Sequence, residues 1–83
     1  MPEPQTLDQI AIGDRAVVRR INGQGALRRR IMDMGLTPGT EIEMVKTSPL
    51  GDPAEYLVRG YHLSLRRSEA QMIEVEMQPD ADQ

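Results

Sequence analysis

The chain has 83 residues, a formal net charge of -3 and no cysteine, so it forms one small domain that packing alone must hold together, without disulfides or thiolate metal sites. No apolar run approaches the roughly 20 residues of a membrane-spanning helix, and the acidic N-terminus lacks the features of a signal peptide, so we expect a cytoplasmic protein without direct membrane insertion. Residues 1–67 carry all ten basic residues and eight acidic ones, whereas residues 68–83 carry five acidic residues and no basic one, so the body of the chain is near neutral and nucleic acid is a poor candidate partner.

The first predicted element is a strand over residues 14–21, which follows the turn signal at Gly13. In the run RAVVRRI, strict alternation places Ala16 and Val18 on one face and Ile21 on the other. The next segment, NGQG, breaks the strand.

A helix of about ten residues is predicted in ALRRRIMDM, because Leu27, Ile31 and Met34 recur at helical spacing and form a narrow apolar stripe. Gly35 follows the stripe and suits the left-handed position that ends a helix. A helix this short is marginal alone, so it must be held by packing.

The second half of the sequence alternates between turns and strands. Pro38 and Gly39 suit the centre of a type II turn, and Arg59 with Gly60 predicts a tight turn or bulge. Four runs alternate between apolar and polar residues and predict half-buried strands: EIEMV, AEYLVRG, YHLSL and MIEVEM. In YHLSL, one face carries Tyr61, Leu63 and Leu65. The segment RRSEAQ predicts a short helical turn before the last strand.

These elements predict a mainly β fold, a small barrel of about five strands with one inserted α-helix. Closure into a barrel removes the exposed edges that a lone sheet would carry. We assign residues 7–77 to the barrel domain, residues 1–6 to a flexible N-terminus and residues 78–83 to a flexible acidic tail.

The residues give no sign of an active site, so we expect a protein that is not an enzyme and needs no cofactor. The single histidine, His62, lies on the polar face of a predicted strand, and neither a nucleophile elbow nor a phosphate loop is present. No ligand cluster for a structural metal site occurs, and the methionines fit core positions. Surface carboxylate pairs two residues apart could hold a divalent ion weakly.

Two segments are candidates for contact with a partner protein. Arg28 and Met32 lie together on the outward side of the predicted helix, a combination typical of a contact patch; alternatively, Met32 folds back over the edge of the barrel. The loop SPLGDP places Leu50 between two prolines and Gly51-Asp52, and a rigid loop that displays a leucine loses little entropy on binding. Alternatively, Leu50 closes an open end of the barrel.

The chain resembles the FeoA family of bacterial ferrous iron transport proteins. The resemblance covers about residues 7–76 and rests on LRRRIMDMGLTPGTEIEMV and SPLGDPAEYLVRGYHLSLRRSEAQMIEVE. The positions that match the family pattern are Arg30, Met34, Gly35, Leu36, Pro38, Gly39, Pro49, Leu50, Gly51, Asp52, Pro53, Leu65 and Arg66. The glycines and prolines of this set, together with Gly60, are expected to shape turns, so they mark the fold more than a site.

The resemblance implies an SH3-like barrel and a cytoplasmic accessory role beside FeoB, the membrane transporter with its own GTP-binding domain. FeoB is therefore the expected partner. The expected contact residues, Arg28, Met32, Leu50, Gly51 and Asp52, come from the two candidate segments above and not from the family pattern. The alternative is a metal-binding sensor or iron carrier that uses surface carboxylates and His62.

Overall fold

The computed structural model describes residues 5–78, which form a six-stranded antiparallel sheet in the order β1-β6-β2-β3-β4-β5. The strands are β1 (Gln5–Thr6), β2 (Arg15–Ile21), β3 (Glu41–Thr47), β4 (Ala54–Val58), β5 (Tyr61–Leu65) and β6 (Ile73–Met77). A 3₁₀ turn spans Leu7–Gln9, helix α1 spans Gly25–Asp33 and helix α2 spans Arg67–Ala70. The predicted inserted helix and the short helical turn before the last strand are both present. No helix within residues 5–78 is long and apolar enough to cross a membrane.

The sheet is curled into a barrel, and its two edges approach each other. The 3₁₀ turn follows edge strand β1, α2 follows edge strand β5, and these two short elements contact each other. The side chains that fill the interior are fully buried and come from all parts of the fold, the largest being Tyr56, Leu7, Ile31, Leu36, Ile42, Leu65 and Ile73. The prediction of a small, mainly β barrel is thus confirmed, with β1 as an additional strand.

Strand β2 departs from the predicted alternation near its end. Ala16 and Val18 share a buried face, but Ile21 is buried with them, although the sequence placed it on the opposite face. A register shift between Val18 and Arg20 in the pairing with β6 explains the difference, because one extra residue in a strand exchanges the faces of all that follow.

Helix α1 lies in the connection between β2 and β3 and packs on the barrel through Ile31, which is fully buried. Leu27 and Met34 are half-buried against the same core. Gly35 ends the helix with a φ of +96° and donates its amide to the Met32 carbonyl over 3.0 Å. This is the left-handed C-terminal glycine that the sequence predicted.

The strand β5 differs from prediction at its first residue. Tyr61 shares a face with buried Leu65, but it is 44% exposed. Its hydroxyl donates to the Met34 carbonyl at the end of α1. The phenol thus spans the rim of the barrel instead of entering the core, because its polar end needs a hydrogen-bond partner.

Strand directions define two ends of the barrel. At the helix end, β2 leads into α1 and the Arg59–Gly60 turn joins β4 to β5. At the opposite end, which we call the loop end, β3 leads into residues 48–53 and β2 follows the turn at residues 10–14.

Both ends of the described chain leave at the loop end, because β1 and β6 pair in antiparallel fashion and Met77 lies opposite Ala16 at the start of β2. The sequence analysis assigned Gln5 and Thr6 to the flexible N-terminus, whereas the structure places them in β1. The remainder of that predicted segment, residues 1–4, lies outside the described residues, as do residues 79–83 of the predicted acidic tail.

Candidate protein-binding surface

The 48–53 loop between β3 and β4 is closed by its own hydrogen bonds. The Ser48 amide donates to the Pro53 carbonyl over 3.1 Å, and the Gly51 amide donates to the Ser48 carbonyl over 2.8 Å. The Ser48 hydroxyl accepts a third bond from the Asp52 amide at 3.1 Å. Gly51 has a φ of +83°, which glycine adopts without strain. The loop is therefore ordered in the free protein.

The 48–53 loop is also bonded to α2, which in turn contacts α1. Asp52 Oδ1 accepts a hydrogen bond from the Arg67 amide at the start of α2, at 2.9 Å. Glu69, two residues further, is buried and accepts a hydrogen bond from the Arg66 amide at 2.9 Å. Its second carboxylate oxygen lies 3.3 Å from the guanidinium of Arg30 on α1. The sequence motifs around these residues therefore serve to connect the loop, α2 and α1.

Leu50 is displayed at the tip of this ordered loop. Its side chain is 91% exposed, more than Ile12 or Tyr61, the other exposed large apolar residues of the described chain. Gly51, and not Leu50, borders the small cavity of about 30 Å³ at the loop end. The structure therefore favours the interpretation of Leu50 as a displayed side chain over that of a plug.

A groove of about 310 Å³ lies beside the loop on the outer side of the sheet. Its lining combines residues of the 48–53 loop, including both prolines, with mostly polar residues of β3, β4 and β5: Lys46, Thr47, Ser48, Pro49, Pro53, Ala54, Glu55 and Ser64. We call Leu50 together with this groove the Leu50 surface. An exposed apolar side chain beside a polar-rimmed groove matches the composition of protein-binding sites.

The predicted contact residues Arg28 and Met32 lie elsewhere. The Arg28 Nε donates to the Ile21 carbonyl at 3.4 Å, which directs the guanidinium toward the end of β2. Met32 is half-buried and packs against the core, as the alternative interpretation had it. Since α1 precedes β3 and the 48–53 loop follows it, the structure does not bring these residues together with Leu50 at one end of the barrel.

The predicted turn residues shape the backbone. Gly35, Gly39 and Gly60 have φ values of +96°, +93° and +87°. Gly39 lies within the turn closed by the Thr40 amide and the Thr37 carbonyl at 3.1 Å, and the positive φ follows the type II pattern. The remaining members of the predicted set are Pro38, Pro49 and Pro53, which lie in the same turn or in the 48–53 loop.

His62, the histidine of the metal hypothesis, contacts Glu55 on the outer face of the sheet. His62 Nδ1 lies 2.7 Å from Glu55 Oε2, and Lys46 Nζ lies 3.8 Å from Glu55 Oε1. Glu55 therefore already has two partners, the Lys46 ammonium and the His62 imidazole. Within residues 5–78, no three histidine, aspartate or glutamate side chains are grouped to hold a metal ion.

Three features of the structure were not singled out from the sequence. Ile12 is 61% exposed in the turn before β2, and its place beside Gly13 was the only signal. Glu69 is buried, although its segment reads as polar. Tyr56 is buried beside Asp8 and Asp52; burial, with a smaller contribution from these two carboxylates, raises the pKa of Tyr56 from 10.0 to about 12.

Comparison with known proteins identifies related sequences. The family model of the FeoA domain matches residues 5–77. Over 71 residues, or 86% of the chain, the sequence is 44% identical to the Fe(2+) transport protein A/Fe(2+) transporter FeoB fusion protein of Porphyromonas gingivalis. The chain spans only 8% of the length of that relative.

Solved structures match the fold over most of the chain. An FeoA-like protein from Clostridium acetobutylicum superposes with a TM-score of 0.87 and 41% identity, covering 96% of this chain and 93% of that chain. FeoA of Stenotrophomonas maltophilia, solved with zinc and described as an SH3 domain protein, gives a TM-score of 0.77 and 30% identity, over 87% and 89% of the two chains. The SH3-like character of the barrel is thereby confirmed.

Proposed function

The chain belongs to the FeoA family, and from this premise we propose that it is a non-enzymatic, cytoplasmic accessory protein of bacterial ferrous iron uptake that binds a FeoB-type transporter and promotes transport. The fusion of an FeoA segment to FeoB in a related protein supports this pairing, because fused domains act at one place. In this proposal the chain supplies a binding surface, and the transporter carries the ion and hydrolyses GTP.

The observation that carries the proposal is the 91% exposure of Leu50 on an ordered loop. An exposed leucine has no stabilising role in the monomer, whereas burial in a partner contributes about 2 kcal/mol to binding. Because hydrogen bonds already fix the 48–53 loop, little conformational entropy is lost when a partner covers it. We therefore assign the transporter contact to the Leu50 surface and not to Arg28 and Met32.

A pull-down with full-length FeoB from the same source, with and without GTP, tests the assignment. We expect Leu50→Asp to weaken binding at least tenfold, because a buried carboxylate without a partner costs more than 1.4 kcal/mol. Ile12→Asp is the matched control, since it introduces the same charge at another exposed apolar side chain. Retention of Leu50→Asp at wild-type levels would contradict the assignment, and so would an equal loss in the two variants.

The alternative function, a metal sensor or iron carrier, is separated from this proposal by anaerobic titration with Fe(II). Under the accessory proposal, wild type and His62→Ala give the same weak heats. A stoichiometric site that His62→Ala removes would instead support the metal-binding function.

A further inference from the structure

Strand β5 is an edge strand that lacks the usual protection. It pairs only with β4, and the register is regular from Ala54↔Leu65 to Val58↔Tyr61. The opposite edge, β1, has only two residues, a length that limits further pairing. Proteins protect longer edges with charged residues, prolines or bulges, and the sequence YHLSL of β5 contains none of these.

The hairpin geometry identifies the backbone groups at the free edge. Val58 and Tyr61 flank the two-residue turn Arg59–Gly60 and therefore form a hydrogen-bonded pair. Alternation along an antiparallel ladder then directs the amides and carbonyls of His62 and Ser64 away from β4. Within residues 5–78, these four groups have no backbone or side-chain hydrogen-bond partner.

Arg66, the next residue whose amide is directed away from β4, already has a hydrogen-bond partner. The Arg66 amide donates to Glu69 Oε1 at 2.9 Å, so α2 covers the edge beyond Leu65. The uncovered edge therefore consists of two residues that each offer one donor and one acceptor.

We propose that β5 pairs with β5 of a second copy of this chain, antiparallel and about a twofold axis at Leu63. In this register, His62 lies opposite Ser64 of the second copy and Ser64 lies opposite His62 of the second copy. Both are hydrogen-bonded pairs, so each of the two free amides and two free carbonyls on one β5 strand bonds a free group of the other. This pairing requires that the free amides and carbonyls lie symmetrically about the residue on the twofold axis. Those of His62 and Ser64 lie symmetrically about Leu63.

The side chains of β5 suit the same pairing. Leu63 meets Leu63 of the second copy in a close, non-hydrogen-bonded pair, and exposed Tyr61 lies opposite Leu65 of the second copy. The Met34 carbonyl already holds the Tyr61 hydroxyl, so the ring is fixed before association. No pair of like charges arises across the axis, since each histidine lies opposite a serine.

The dimer is expected to be weak. Two five-residue strands bury less than the roughly 1,200 Å² at which standard stable interfaces begin. Association should therefore appear as a concentration-dependent equilibrium, with a Kd on the order of 100 μM.

Sedimentation velocity of the full chain, from about 10 μM to about 1 mM, tests the pairing, with amide NMR spectra recorded over the same dilution. We expect the sedimentation coefficient to rise with concentration and the amide signals of His62 and Ser64 to shift more than those of Leu50 and Ile12. A protein that stays monomeric at the highest concentration would overturn the proposal. A dimer whose shifts centre on Leu50 would do so as well.

Two double variants at the same positions give opposite expectations. His62→Lys/Ser64→Lys places lysine opposite lysine twice, and like charges directly opposite each other disfavour pairing, so we expect at least a fivefold weaker dimer. His62→Lys/Ser64→Glu places lysine opposite glutamate twice and should restore or tighten association. Equal association of the two variants would show that β5 is not the interface, and circular dichroism establishes that both remain folded.

Discussion

Tyr56 shows how one residue adjusts to the interior of a small barrel. It is 1% exposed, yet its polar end lies near the carboxylates of Asp8 and Asp52. Burial is the larger cause that raises the pKa of Tyr56 from 10.0 to about 12, and the two negative charges add to it. The folded protein therefore holds this proton at pH values where the unfolded chain releases it.

This difference predicts a loss of stability at alkaline pH. A folded-state pKa above the unfolded value contributes stability that is complete below pH 10.0 and is lost as the pH rises toward 12. Between pH 9 and pH 11, the free energy of unfolding should fall by roughly 1 kcal/mol through this group. Urea denaturation at both pH values measures the change.

Tyr56→Phe is the control for that prediction. The variant removes the Tyr56 hydroxyl and leaves every other titratable group in place, so it removes only the contribution of Tyr56. A pH dependence identical to that of the wild type would show that another group is responsible.

At the scale of elements, the end of α1 is set by one glycine and one tyrosine. Gly35 has a φ of +96°, and a Cβ placed there would lie 3.1 Å from the Tyr61 hydroxyl oxygen. Gly13 has a similar φ of +92°, but a Cβ there would meet no atom within 4 Å. Substitution of Gly13 therefore tests backbone strain alone, whereas substitution of Gly35 tests the same strain together with a steric conflict with β5.

We expect Gly13→Ala to lower the free energy of unfolding by about 1 kcal/mol, the strain of a left-handed alanine. Gly35→Ala should cost about 2 kcal/mol, because the new methyl group also displaces the Tyr61 hydroxyl from the Met34 carbonyl. In a Tyr61→Phe background, the difference between the two substitutions should largely disappear. Urea denaturation of the six proteins measures it, and a persistent difference would contradict this origin.

Several elements could be predicted from sequence because short-range chemistry determines them. Gly35, Gly39 and Gly60 marked turns that need a positive φ, and alternation located five strands. The two-residue strand β1 carries too little pattern to be recognised. The bulge in β2 and the position of Met32 depend on how β6 and the core pack, which alternation within one segment does not encode.

The candidate surface could be predicted in part for the same reason. The prolines and Gly51-Asp52 identified a restrained loop around Leu50, and the loop is ordered by local bonds. The groove beside it and the tie from Asp52 to Arg67 join residues far apart in sequence. The exposure of Leu50 distinguishes an exposed contact residue from one that closes the end of the barrel. This exposure also depends on those tertiary contacts.

For the molecule as a whole, closure depends on a short segment before the main strands. Leu7 in the 3₁₀ turn is fully buried, and this turn contacts α2 across the opening between the sheet edges. A domain of this size has few other buried side chains to compensate for a loss. The first residues of the fold therefore contribute to global stability.

Leu7→Ala should lower the free energy of unfolding by about 2–5 kcal/mol, through lost burial and the cavity that remains. Ile12→Ala, five residues away and 61% exposed, should change it by less than about 0.5 kcal/mol. Chemical denaturation of both variants provides the comparison. A small effect of Leu7→Ala would show that the barrel is stable without its closing turn.

The pairing of β1 with β6 has a practical consequence for any chimera or labelled form of this domain. Because both ends of the described chain leave at the loop end, a linker joined at residue 5 or residue 78 starts at the end of the barrel that displays Leu50. A short tether to a transporter would therefore raise the local concentration of that side in front of its target. A bulky affinity tag joined at residue 5 or residue 78 would crowd that end instead, so immobilisation through a cysteine introduced on the outer face of α1 is the better geometry for binding experiments.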